Sequence, residues 1–120
     1  MILQLQMPLF HHKQIAVEFN CTEPVWVCCT QERLKKIFIN LFTNAMDAME
    51  AVKDRQKKIR ISVMLTENFA VVEVEDNGKG MKAEEKERIF NPFYTTKSTG
   101  TGLGFYLVYQ QLEEVGGSIQ

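Results

Sequence analysis

"FINLFTNAMDAME", residues 38–50, is rich in helix formers, yet it carries Asn40 and Asn44 one turn apart and Asp47 just beyond them. Asparagine is a poor interior helix residue, because its amide competes with the backbone for hydrogen bonds. The surrounding residues settle the element. Leu34, Phe38, Leu41, Ala45, Ala48 and Val52 recur at steps of three and four, which predicts one long amphipathic helix over about 31–53. Thr30 suits its N-cap, and Gln31 and Glu32 suit its first turn. Asn40, Asn44 and Asp47 then form a row beside the apolar stripe. A carbonyl oxygen placed there can ligate a hard cation such as Mg²⁺. Taken alone, the row is better read as a solvated polar flank.

On either side of this helix the pattern changes period. "QIAVEFN" and "PVWVCCT" read as short strands, with Pro8 and Pro24 as punctuation. "KIRISVML" and "FAVVEVED" read as two strands joined at Thr66-Glu67-Asn68, which predicts a hairpin. Alternation puts Ile59, Ile61, Val63 and Leu65 on one face, and Ala70, Val72, Val74 and Asp76 on one face of the partner. Residues 78–101 show little sustained periodicity apart from "AEEKERIF", and loops of that length are usually functional or disordered. A last helix is predicted from Gly102 to Val115, stopped at Gly116-Gly117, with Ser118-Ile119-Gln120 resembling the start of a strand.

Length and charge bound the rest. A chain of 120 residues suits one domain. A formal net charge of −1 gives no bulk attraction for nucleic acid or an anionic membrane. No apolar run is long enough to span a bilayer, and the N-terminus lacks the basic start and cleavage site of a signal peptide. Cys21, Cys28 and Cys29 form no C-x-x-C pair, which argues for free thiols in a reducing cytosol over a disulfide framework or a zinc site.

Two further stretches can carry chemistry. In "VEVEDNGKGM" the turn signal Asp-Asn-Gly follows an alternating strand. Asp76 ends an apolar face, so its carboxylate needs a donor, and the exocyclic amine of a base would serve. Gly78 and Gly80 would let the backbone approach a ligand. In "KSTGTGLGF", Gly100, Gly102 and Gly104 lead into a helix N-terminus, a site suited to phosphates, with Lys97 just before it. A hairpin corner and a flexible linker are the bland readings of these two stretches.

Taken together and in this order, the stretches resemble the catalytic and ATP-binding domain of bacterial sensor histidine kinases. That domain belongs to the HATPase_c or GHKL superfamily shared with gyrase, the Hsp90 chaperones and MutL. "NLFTNAMDAM" is similar to its N box, "DNGKGM" to its G1 box, "IFNPFYTTK" to its F box and "GTGLGF" to its G2 box. The wording "PFYTTKSTGTGLGF" is closest to the nitrogen-regulation and sporulation kinases. The resemblance implies an α/β (α+β) two-layer sandwich of the Bergerat type: a mixed, mostly antiparallel sheet with helices on one face. It implies a single domain over 1–120, with an ATP lid at about 79–101. The family closes its sheet with two strands after the Gly-Gly-Ser-Ile stretch, so a domain truncated at its C-terminus is also implied.

The roles implied fall on matching positions. Asn44 would hold the Mg²⁺ that bridges the ATP phosphates, assisted by Asn40. Asp76 would accept from the adenine amine, with Gly78 and Gly80 shaping the base pocket. Phe90 and Phe93 would anchor the lid. Thr96, Lys97, Gly100, Thr101, Gly102, Leu103 and Gly104 would surround the phosphates. Hydrolysing branches of the superfamily carry a general-base Glu where this chain has Asn40, and an amide cannot take a proton from water. The resemblance therefore implies transfer of the γ-phosphoryl group to a histidine on a separate dimerisation and acceptor domain, with a response regulator downstream. Two features depart from the pattern. Asp47 stands where many sensor kinases carry Lys or Arg, as in the "NAxDA" of the hydrolysing branches, and the acceptor-histidine box is absent. His11 and His12 read as surface residues on a short helical turn. The implied state is cytoplasmic and monomeric, without direct membrane contact by this domain. ATP hydrolysis in the same pocket and a non-catalytic nucleotide-binding module are the alternatives.

Overall fold

Alternation of apolar and polar residues builds the sheet. The structure, a computed structural model, describes residues 2–88 and 104–119. The chain divides into two compact units, one made of Met1–Cys28 with Ala45–Lys79, the other of Cys29–Asn44 with Gly80–Gln120.

The first unit holds α1 (Ile2–His12), β1 (Ala16–Cys21), β2 (Lys58–Leu65) and β3 (Ala70–Asp76). It also holds the last turn of α2 (Gln31–Met49). The strands lie in the order β1-β2-β3, with β2 parallel to β1 and antiparallel to β3. The predicted hairpin is present, and Ile61 faces Val74 while Val63 faces Val72. On the apolar side Ile59 and Ile61 are buried, and so are Phe10, Ile15, Ala45, Met46 and Met49. Helices thus cover one face of a mixed sheet, the two-layer α/β arrangement of a Bergerat-type fold. The other face is charged. Glu18, Arg60 and Glu75 stand in register across all three strands. Arg60 bonds both carboxylates, at 3.1 and 3.3 Å, and Lys58 reaches Glu18 at 3.0 Å. Lys58 and then Arg60 hold the Glu18 carboxyl below its ordinary range. Such exposed pairs contribute little stability; they keep this face wet.

The second unit holds the first turns of α2, α3 (Ala83–Arg88) and α4 (Gly104–Glu114). The Thr30 hydroxyl accepts from the Arg33 N–H at 3.3 Å, the predicted N-cap. Ile37, Phe42 and Val108 are buried, the Phe38 and Phe42 rings stack at 5.9 Å, and Arg33 pairs with Glu114 at 3.1 Å. The C-terminus of α4 falls where Gly116-Gly117 predicts. Gly116 has φ 76°, and the Gly117 and Gly116 N–H groups bond the Leu112 and Glu113 carbonyls. This is the left-handed glycine cap with paired 6→1 and 5→2 bonds.

Four expectations are corrected. Residues 24–30 form no strand, and Trp26 lies 91% exposed. The N-terminal stretch is an 11-residue helix that continues through Pro8 rather than a short helical turn, while His11 and His12 are helical and exposed as predicted. Ser118 and Ile119 are not in a strand. Helix α2 ends at Met49 rather than near 53: Glu50 and Val52 bond back three residues, to Asp47 and Met49, and tighten the chain out of the helix. Its buried face contains Ala45 of the predicted stripe and is wider than that stripe, with Phe42, Met46 and Met49 on the side away from the asparagine row and Ile37 on the side toward it.

Helix α1 closes with the same pattern of bonds as α4, but with Gln14 at the left-handed position, φ 58°. Ile15 and Gln14 donate to the Phe10 and His11 carbonyls, and both Phe10 and Ile15 are buried. A side chain at positive φ is strained, and the Gln14 carbonyl that accepts from Gln56 is backbone. Gln14→Gly is therefore expected to stabilise the chain by about 1 kcal/mol, read as a higher urea midpoint at unchanged slope.

Candidate functional site

The site is built around the turn that leaves β3. Register pairs Asp76 with Ile59, which is fully buried, so the carboxylate ends the apolar face of the sheet as alternation predicts. Asp76 itself is half-buried. Its Oδ1 accepts from the Gly78 N–H at 2.9 Å, a side-chain turn two residues long.

Gly78 is where the turn meets helix α2. A Cβ on Gly78 would overlap the Ala48 carbonyl oxygen and lie 2.7 Å from the Ala48 carbonyl carbon. The next residue completes the contact, with the Lys79 N–H donating to the Ala48 oxygen at 3.2 Å. Ala48 lies in the last turn of its helix, where carbonyls lack an intrahelical donor. Gly80 is required for another reason. It has φ 72°, with open space around its Cβ position.

Two residues outside the predicted set hold the turn from its other side. Asn77 is stitched to the start of β2. Its N–H donates to the Lys58 carbonyl at 3.2 Å, its Oδ1 accepts from the Lys58 N–H at 2.9 Å, and its Nδ2 donates to the Gln56 carbonyl at 2.7 Å. Arg55 donates through Nε and Nη2 to the Asn77 carbonyl at 2.9 and 2.7 Å, and through Nη2 to the Gly78 carbonyl at 2.9 Å. The sequence marks Asn77 only as a turn residue. Nothing in "KDRQKK" distinguishes Arg55 from its basic neighbours.

Asn40, Asn44 and Asp47 lie half-buried on α2 at the predicted helical spacing, at the margin of its buried face. The stretch expected to form the lid contains α3, an exposed helix with Glu84 and Glu85 in its first turn and Lys86 and Arg88 in its last, charges that complement the helix dipole. Gly104 opens α4. Phe90, Phe93, Thr96, Lys97, Gly100, Thr101, Gly102 and Leu103 lie outside the described residues. A recess of about 90 Å³ lined by Lys58, Arg60, Glu75, Asp76 and Asn77 opens on the sheet. By alternation, Lys58, Arg60 and Glu75 belong to the charged face, whereas Asp76, which also lines the recess, belongs to the apolar one. Among the described residues no helix is long and apolar enough to cross a membrane.

Comparison with known proteins gives a consistent answer. Residues 29–120 match the family described as histidine kinase-, DNA gyrase B-, and HSP90-like ATPase. The chain is 41% identical over 121 residues to the sensor histidine kinase ZraS of Escherichia coli O157:H7, covering 98% of this chain and 25% of that protein. It is 30% identical over 109 residues to sporulation kinase D of Bacillus subtilis, covering 91% of this chain and 21% of that one. The chain thus spans about a quarter of the length of these curated relatives. Among solved structures, the nucleotide-free catalytic domain of histidine kinase ThkA is similar at a TM-score of 0.80 and 29% identity, over 95% of this chain and 73% of that one.

The two glycines of the turn are separable by substitution. Gly78→Ala forces a methyl group into the Ala48 carbonyl and is expected to destabilise the chain by about 3 kcal/mol. Gly80→Ala strains only its own φ and is expected to lose about 1 kcal/mol. Urea titrations of both variants check the order; equal losses would contradict the contact.

Proposed function

The chain belongs to the histidine kinase-, DNA gyrase B- and HSP90-like ATPase family, and from that premise we propose that it is the nucleotide-binding catalytic domain of a sensor histidine kinase. It would bind ATP with Mg²⁺ and donate the γ-phosphoryl group to a histidine on a separate dimerisation and acceptor domain, ahead of a response regulator. The observation that carries this reading is Asp76, a carboxylate at the end of an apolar face, in register with the fully buried Ile59. Its geometry is set by one backbone N–H on a glycine that tolerates no side chain.

Each residue has a role in this reading. Asp76 accepts from the exocyclic amine of adenine, with Gly78 and Gly80 giving the turn its shape. Asn40 and Asn44 carry amide oxygens at half-buried positions, a donor set suited to a hard cation. Asn44 would hold the Mg²⁺, which neutralises phosphate charge when bound. Lys97 and the glycines from Gly100 to Gly104 would take the phosphates, with Thr96, Thr101 and Leu103 among them and Phe93 anchoring the lid. Asn40 has no basic atom to accept a proton from water. Hydrolysis is then slow, and the phosphoryl group is kept for an imidazole nucleophile. Catalysis becomes positioning and charge neutralisation, as in phosphoryl transfer generally. The nitrogen-regulation or sporulation subtype is supported by "PFYTTKSTGTGLGF", and a cytoplasmic location follows from the same reading.

Calorimetric titration of ATP into the chain, with and without Mg²⁺, tests the nucleotide site. Asp76→Asn presents a partial donor to the adenine amine and is expected to weaken binding at least about tenfold. Asn44→Ala is expected to abolish the strengthening by Mg²⁺. Unchanged affinity in Asp76→Asn would favour a non-catalytic module.

The choice between transfer and hydrolysis rests on Asn40. Asn40→Glu restores a base and is expected to raise phosphate release about tenfold or more above the parent chain. A rate equal to the parent's would remove Asn40 from the position facing the attacking water.

A further inference from the structure

The peptide unit between Asn77 and Gly78 is held at both ends. Its oxygen accepts two bonds from Arg55, at 2.9 and 2.7 Å. Its N–H donates to Asp76 Oδ1 at 2.9 Å. A peptide is planar, so fixing the direction of its carbonyl fixes the direction of its N–H. Bonds from a cation to the oxygen also draw electron density from the nitrogen and strengthen the N–H as a donor. The guanidinium is itself clamped. Asp54 accepts from Nη1 through both carboxylate oxygens, at 3.0 and 3.1 Å, and Nη2 also reaches the Gly78 carbonyl at 2.9 Å. Asp54, Arg55, Asn77, Gly78 and Asp76 therefore form one chain of contacts that ends on the carboxylate.

We propose that Arg55 is a positioning residue for base recognition, holding the Asn77–Gly78 peptide so that its N–H fixes one oxygen of Asp76 and leaves the other for an exocyclic amine. The inference rests on the reading of Asp76 given above and extends it to a residue that touches no ligand. Arginine is required because the two bonds to one carbonyl and the bond to the next come from a planar fork. A lysine supplies a single charge without that geometry. The device acts on discrimination between bases, not on phosphate binding.

The test compares ADP with inosine diphosphate, whose base carries a carbonyl in place of the amine, by calorimetric titration into the parent chain, Arg55→Ala and Arg55→Lys. The Gly78 amide proton is followed by NMR without nucleotide. Arg55→Ala is expected to weaken ADP about tenfold and inosine diphosphate by no more than about twofold. The Gly78 amide should move upfield and exchange faster, Arg55→Lys should recover only part of the preference, and added methylguanidinium should restore some ADP affinity to Arg55→Ala. Should Arg55→Ala fail to fold, Asp54→Asn, which loosens the guanidinium without removing it, should give the same pattern at about threefold. Equal weakening of both nucleotides would make Arg55 a purely structural residue and overturn the proposal. An unmoved Gly78 amide would overturn the peptide clamp. A parent chain that binds both nucleotides alike would instead overturn the base-reading role of Asp76, and base recognition by Arg55 with it.

Discussion

The carbonyl of Ala48 is where helix α2 and the turn after β3 meet. A helix end leaves carbonyls without donors, and a buried carbonyl left unpaired is costly. Here the donor is the Lys79 N–H, and the approach is close enough that the intervening residue can only be glycine. The contact sets where the helix stops and where the strand's exit turns. It also locates Asp76, because the Asp76 carboxylate bonds the N–H of that same glycine. Helix termination, turn geometry and carboxylate placement are one constraint seen from three residues.

A second constraint comes from the sheet. The period of two sends Glu18, Arg60 and Glu75 to water and Ile59 and Ile61 to the core. Asp76 falls on the core side, an expensive position for a carboxylate unless donors are supplied. Backbone supplies one of them. The rest of the turn is held by Asn77 and Arg55 through bonds that end on backbone atoms of residues 56, 58, 77 and 78. Their positions are therefore fixed largely by the fold, with the Asp54 carboxylate as a side-chain partner of Arg55. A site preorganised in this way avoids an ordering cost when a ligand arrives.

What could be read beforehand was whatever rests on local rules. The hairpin, its register and the face of Asp76 follow from alternation, and the Thr30 cap and the Gly116 stop follow from backbone chemistry at helix ends. The errors arose where a local signal was not matched by tertiary contact or was overridden by it. "PVWVCCT" has strand-forming residues but forms no strand. Pro8 reads as a breaker, yet α1 runs past it, with Phe10 and Ile15 buried at its end. The buried face of α2 is wider than the predicted stripe because Ile37, Phe42, Met46 and Met49 flank it on both sides, and periodicity alone cannot set the width of a buried face. The end of α2 was set by the contact at Ala48, between residues thirty positions apart in the sequence.

Arg55 was illegible for a further reason. Its role is carried by where its guanidinium lands on backbone carbonyls, and a carbonyl leaves no trace in residue type. The four boxes that point to a nucleotide name the groups that would touch it; they are silent about groups that hold those groups in place. A carboxylate on the core face of a sheet must be both stabilised and aimed, and the two demands differ. The Gly78 N–H can stabilise the charge wherever it points, but its direction depends on the peptide plane, and that plane is set from the carbonyl side. The requirement for an aimed carboxylate thus leads away from the apolar face, through one peptide, to a cation in the loop before β2.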